Sequence, residues 1–363
     1  MGSHTDYNEG FVLTLAIDRN TWLAARPRDD RRVAVYSLNT EGGGAFDLDE
    51  IGHDPDAPWT DYVRGVAAAF EEEGVAVPGF DGLLHSTIPF GSGLSSSAAL
   101  EVVTAVTLKA LAGNREIEPL RLALLCQRAE NRFVGMKCGI LDQYSSVFGQ
   151  AGHALLLDCR NLTHRTVALP DDLRVVICDT RVERKLTGSE YGERRTQCEE
   201  GASLLAHFYP GVTHLRDLTP EQFAAHEADL PEAVARRCRF VIEENLRVLH
   251  LASALAADDR AAMRRLTEAS YAGARDLYEI SSPAMEAMMR AMRTGPGLVC
   301  GRQAGAGFGG CMVALVEDRS VEGFADSVVS AYRSRTGTEP EVYPVRAAPG
   351  AGLLRFPRQL KIP

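Results

Sequence analysis

The sequence predicts an α+β fold in two halves. Short apolar, strand-like runs stand near both ends of the 363-residue chain. Helix-like periodicity dominates from about residue 190 to residue 293. The two kinds of element come in blocks and do not alternate one for one, as a doubly wound parallel sheet would require.

Taken in order, residues 11–17 (FVLTLAI) and 31–36 (RRVAVY) are rich in apolar and β-branched side chains and read as strands. Residues 61–70 read as a helix. A second helix is expected over 97–111, with Leu100, Val103, Leu108 and Leu111 on its apolar side, and a third over 119–133. Residues 154–158 (ALLLD) and 173–178 (LRVVIC) read as strands separated by polar turn material. The domain boundary is placed there, near residue 170, giving units 1–170 and 171–363. Helices follow to about residue 293, and strands at 298–300 and 312–316 flank a glycine-rich run. No internal repeat of solenoid period is evident.

Composition narrows the function classes. Apolar residues make up 45% and charged residues 24%, the profile of a soluble globular protein. A formal net charge of -10 leaves no basic stripe for a nucleic-acid backbone. The eight cysteines form no CxxC pair, so they read as buried, reduced thiols and not as a zinc cluster or disulfide framework. The opening residues lack a secretory pattern and no apolar run is long enough to span a bilayer, so the expectation is a cytoplasmic protein without membrane or nucleic-acid partners.

Three stretches carry chemistry. The first, PFGSGLSSSAA at 89–99, puts two glycines and three serines directly before a helix. Glycine lets the backbone approach a ligand closely, and a helix N-terminus offers free N–H groups with partial positive charge, which together cradle phosphate. The serine hydroxyls can donate to phosphate or bind Mg²⁺. A flexible loop with a serine cap is the plain alternative. It is not a Walker A loop, because no GK[ST] follows. The second, AENRFVGMKCGILDQ at 129–143, holds Glu130 and Asp142, which alone would read as a solvated helix face and an N-cap. The third, GRQAGAGFGGC at 301–311, is a glycine loop for which a tight turn would suffice.

In that order, with HTDYNEG at 4–10, these segments resemble the GHMP kinases and, within them, the galactokinases. The resemblance implies an N-terminal domain like domain 2 of ribosomal protein S5 and a ferredoxin-like C-terminal domain, with the site between them. It implies transfer of the γ-phosphoryl of MgATP to the C1 hydroxyl of galactose. By position, His4, Asp6, Gly139, Asp142 and Tyr191 would bind the sugar, and Asp142 would accept the hydroxyl proton. Gly91, Gly93, Leu94, Ser95, Ser96, Ser97 and Ala98 would bind the phosphates. Ser97 and Glu130 would hold Mg²⁺, whose hard-oxygen preference they suit. Gly305, Gly307, Gly309 and Gly310 would close over the nucleotide, with Ala304 where the family usually has threonine. Trp59 and Tyr62 would flank the adenine, although core packing on one helix face explains the pair as well. Without the family, Tyr191 reads as a surface tyrosine and HTDYN as a polar turn.

Galactokinases also carry a segment like PGRVNLIGE before the signature, with an arginine beside the catalytic aspartate. This sequence opens MGSHTDYN, without that arginine and with Ser3 in place of the glutamate. Met1 as an internal methionine, a shortened protein and an incomplete chain are the three readings of that opening. Two functional alternatives stay open: a kinase of another sugar such as arabinose or N-acetylgalactosamine, and a catalytically weak sensor that binds galactose and ATP. A monomer is expected over an obligate oligomer.

Overall fold

The computed structural model describes residues 1–113, 117–182 and 188–354. Its strands are β1 (Phe11–Thr14), β2 (Thr21–Pro27), β3 (Arg32–Ser37), β4 (Gly42–Asp47), β5 (Phe80–Ser86), β6 (His153–Asp158), β7 (Thr163–Ala168), β8 (Leu173–Asp179), β9 (Leu298–Gln303), β10 (Cys311–Glu317) and β11 (Glu341–Val345). Its helices are α1 (Asp61–Glu72), α2 (Ser96–Leu111), α3 (Pro119–Arg128), α4 (Leu141–Phe148), α5 (Gly188–Leu205), α6 (Pro220–His226), α7 (Glu232–Ala256), α8 (Arg260–Asp276), α9 (Pro283–Met292) and α10 (Val321–Thr336).

The strands form three sheets, ordered β2-β5-β3-β4, β1-β6-β7 and β11-β8-β10-β9. In the first, β3 and β5 run parallel while the other pairs are antiparallel. One face of it is covered by α1, α2 and α3, joining Val33, Phe46 and Phe80 to Val66, Phe70, Val102 and Leu125 in one core. The third sheet is antiparallel throughout, in the 4-1-3-2 strand order of a ferredoxin-like unit. Methionines of α9 and aromatics of α10 fill its covered face, with Met288, Met292, Phe324 and Tyr332 against Val176, Met312 and Val316.

The small middle sheet positions the site. Leu13, Ala154, Leu156 and Val167 pack against Val248, Leu251, Leu255 and Met263 of α7 and α8. An N-terminal sheet thus shares its core with helices from beyond residue 170. That packing brings the signature at 4–10 against the glycine loop after β9, about 300 residues away in sequence.

Two expected elements differ in detail. The strand expected over 11–17 stops at Thr14, and Ile17 makes an isolated bridge to Ala347. The helix expected over 119–133 is regular only to Arg128, and Ala129–Val134 widens into a π-wound turn. Such turns recur at functional sites because the extra residue per turn re-aims side chains. Here Glu130 becomes buried, which excludes the solvated-face reading.

Candidate active site

The signature begins with a three-residue 3-10 turn, Asp6–Asn8, held by Gly10 N–H donating to the Thr5 carbonyl at 2.8 Å. His4 is buried with φ 65°, a conformation uncommon for a side-chain-bearing residue. Its Nε2 lies 2.9 Å from the Ala306 carbonyl, which can only accept, so Nε2 carries the proton. Its Nδ1 lies 2.7 Å from the Tyr7 hydroxyl, which in turn lies 2.8 Å from the Tyr278 hydroxyl. Tyr191 of α5 completes this aromatic cluster, its ring centroid 5.1 Å from His4 and 5.7 Å from Tyr7. The solvent-facing alternative for Tyr191 does not describe that position.

Asp6 leans on Gly139. A Cβ built on Gly139 would fall 1.7 Å from Asp6 Oδ2, so the carboxylate fills the space that glycine leaves. Burial foremost, with help from the neighbouring Asp142 charge, pushes the Asp6 carboxyl up to about 6, against the pull of Arg195 and local backbone N–H groups. Asp142 stands in the first turn of α4, whose N-cap is Ile140, so Asp142 is not the cap itself. It is exposed toward solvent, and its charge reaches Asp6, Glu101 and Glu130.

Glu130 lies beside it. Its Oε2 accepts from Gln143 Nε2 at 2.6 Å and from Cys138 Sγ at 3.1 Å, and the Ser97 hydroxyl also hydrogen-bonds the carboxylate. Burial, and then the Asp142 charge, raise the Glu130 pKa against those donors. Hard oxygen donors in a pocket of excess negative charge suit a divalent cation, which would relieve the repulsion.

The phosphate loop meets this cluster from the other side. Gly91, Gly93 and Ser95 have φ of 68°, 81° and 59°, so the chain winds through left-handed conformations just before α2. Ser95 adopts one despite carrying a Cβ, the kind of strain that clusters at ligand clamps. No serine side chain caps the helix, whose first residue is Ser96, so the serine-cap alternative fails. Ala98 is buried beneath the loop, and Leu94 packs with the apolar cluster of Ile177 and Cys311. The glycine loop holding Gly305, Gly307, Gly309 and Gly310 presses on it. Cys311 N–H donates to the Ser92 carbonyl at 2.9 Å, and a Cβ on Gly310 would lie 2.3 Å from that oxygen. Ala304, lacking a hydroxyl, packs against the same apolar cluster.

Comparison with known proteins follows the same lines. A family model described as the galactokinase galactose-binding signature matches residues 1–27, and one for the GHMP kinases N terminal domain matches residues 61–150. A galactokinase of Roseiflexus sp. (strain RS-1) is 46% identical over 353 residues, covering 97% of this chain and 90% of the relative. The chain belongs to the galactokinase family. A galactokinase of Chloroflexus aggregans is 42% identical over 97% of this chain and 90% of its own length. The solved structure of Lactococcus lactis galactokinase complexed with galactose superposes with a TM-score of 0.91 at 33% identity, over 96% of this chain and 91% of that one. A mevalonate kinase structure, 16% identical with a TM-score of 0.63 over 95% of each chain, shares the GHMP kinase fold.

Trp59 and Tyr62 do not lie on one helix. Trp59 sits in the 3-10 turn Pro58–Thr60 and packs half-buried against the N-terminal core. Tyr62 is the second residue of α1, near enough to Glu130 and Glu101 that burial and then their charges push its hydroxyl up to about 12. Glu101, Cys138, Gln143, Arg195 and Tyr278 escaped the sequence reading. Glu101 was detectable as a charged residue one turn beyond Ser97 on the apolar side of a helix, where a carboxylate needs a reason. All eight cysteines are free thiols, and every one except Cys138 is buried. Among the described residues, no helix is long and apolar enough to cross a membrane.

Proposed function

We propose that the cleft transfers the γ-phosphoryl group of ATP to the C1 hydroxyl of galactose, giving galactose 1-phosphate. The observation that carries this reading is the meeting of two motifs at one place. The Asp6 carboxylate of the signature lies against Gly139 and within electrostatic reach of Asp142, while Ser97 of the phosphate loop bonds Glu130 two residues into the π-wound turn.

Each group then has a task its environment fits. Asp6 accepts hydrogen bonds from sugar hydroxyls and fixes the ring. Asp142, exposed at the start of α4, takes the proton of the attacking hydroxyl. The N–H groups at the start of α2 and in the loop before it receive the phosphate oxygens, and the Gly310 loop holds that cradle in shape. Ser97 and Glu130 would hold Mg²⁺, which when bound neutralises charge on the phosphate oxygens.

A coupled assay with MgATP and galactose, run beside arabinose, N-acetylgalactosamine, mevalonate and homoserine, tests the reading. Galactose should be phosphorylated and mevalonate and homoserine left untouched. Preference for arabinose or N-acetylgalactosamine would overturn the substrate. Binding of galactose and ATP without turnover would overturn the transfer.

A further inference from the structure

Glu101 is a fully buried carboxylate that the proposed reaction does not use. It lies on α2, one turn beyond Ser97, with its Oε2 2.9 Å from Gln143 Nε2. Gln143 is fully buried as well, and the same nitrogen lies 2.6 Å from Glu130 Oε2. Both amide hydrogens therefore go to carboxylates, one to each glutamate. Glu101 Oε1 and Gln143 Oε1 are buried without a hydrogen-bond partner, so the contact is kept at the cost of two bare polar atoms.

We infer that Glu101 is a positioning residue that acts through Gln143 to aim Glu130 at the metal. The physical argument concerns which way the Gln143 amide faces. With Glu101 in place, a flipped amide would give up two donated bonds at once, one to Glu101 Oε2 and one to Glu130 Oε2. The N–H₂ end is thereby locked toward both glutamates. Gln143 and Cys138 both donate to Oε2 of Glu130. Both of those bonds fall on one oxygen, and the Ser97 hydroxyl that bonds the same carboxylate stands beside it to share a cation. Without Glu101 the amide is held by one acceptor instead of two, so its position against Glu130 is less closely defined. Groups that orient a metal ligand in this way typically matter about 10–100-fold in metal affinity.

This inference rests on Ser97 and Glu130 as the metal-binding pair, and the test separates the two claims. Mn²⁺ binding is measured by electron paramagnetic resonance on the whole chain with a non-hydrolysable ATP analogue, beside calorimetric galactose binding and a thermal melt. Glu130→Ala is the reference and should abolish the tight Mn²⁺ signal. Glu101→Leu should weaken Mn²⁺ binding by about tenfold or more, with galactose affinity within about twofold. Glu101→Gln keeps an acceptor for Gln143 and should restore binding to within about threefold of the parent. Gln143→Met, which removes the donor at similar volume, should match Glu101→Leu and serves in its place if that variant does not fold. Normal Mn²⁺ binding in both Glu101→Leu and Gln143→Met, with Glu130→Ala defective, would overturn the positioning role alone. Normal binding in Glu130→Ala would overturn the metal pair and the positioning role with it.

Discussion

Asp6 and Gly139 compete for one volume: a methyl group on Gly139 would overlap the Asp6 carboxylate, 1.7 Å from Oδ2. The signature at the N-terminus and the segment before α4 are thus complementary in shape, and the Asp6 carboxylate is braced by the absence of a side chain. Gly139→Ala should push Asp6 out of position. The expected result is a loss of galactose affinity of at least about tenfold, the worth of a charged hydrogen bond, with ATP-analogue affinity nearly unchanged. Calorimetry with each ligand separately checks this, and unchanged galactose binding would show that Asp6 does not need that space.

Asp142→Asn separates catalysis from binding. The amide keeps the shape and some hydrogen bonding but has no basic oxygen. Turnover should fall by at least about two orders of magnitude while galactose affinity changes much less. Equal turnover in parent and variant would remove Asp142 as the proton acceptor.

Asp6 also makes a pH prediction. Its pKa is raised on folding, chiefly by burial, from 3.8 to about 6. Its contribution to stability is therefore fully present below the unfolded value and lost as pH rises through about 6. Sugar hydroxyls donate to the ionised form, so galactose affinity should rise across the same window, with a midpoint near pH 6. Calorimetric titrations from about pH 5 to about pH 7.5 should show the rise, and Asp6→Asn should flatten it. A pH-independent parent would contradict the assignment.

Gly310 tests the seam between the glycine loop and the phosphate loop. Its φ is 83°, and a Cβ there would meet the Ser92 carbonyl at 2.3 Å. Gly310→Ala must shift one loop off the other and disturb the Cys311–Ser92 hydrogen bond. A conformational penalty of about 1–2 kcal/mol translates to a rise in the ATP KM of about tenfold. The galactose KM should stay within about twofold. An equal rise in both would place the damage in the fold and not in the nucleotide cradle.

Much of this protein was legible locally. Strands β1, β3, β6, β8, β9 and β10 announce themselves by apolar runs, and α1 and α2 by periodicity, because each buries one face against a core. Strand β4 (GGGAFD) and strand β7 (THRTVA) gave no such signal, since glycine and exposed polar residues carry no period and pairing with neighbours decides them. The site motifs were readable for a related reason. Close backbone approach to a ligand favours glycine and small residues, which fill 91–98 and 305–310 except at Leu94 and Phe308, both packed against apolar clusters.

What the linear order could not hold is contact between distant segments. That Asp6 lies on Gly139 depends on β1 lying beside α4, and that Glu101 shares an amide with Glu130 depends on α2 and α3 packing against α4. That His4 donates to Ala306 depends on the middle sheet packing against α7 and α8. Glu130 shows the division most plainly. Its sequence context permits a solvated helix face, and a π-wound turn places it inward, where burial and neighbouring carboxylates set its charge. Residue type, fixed by the chain alone, determined which chemistry was available. Burial and proximity, which exist only after folding, decided which carboxylate does what, because proton affinity and hydrogen bonding depend on distance through space and not along the chain.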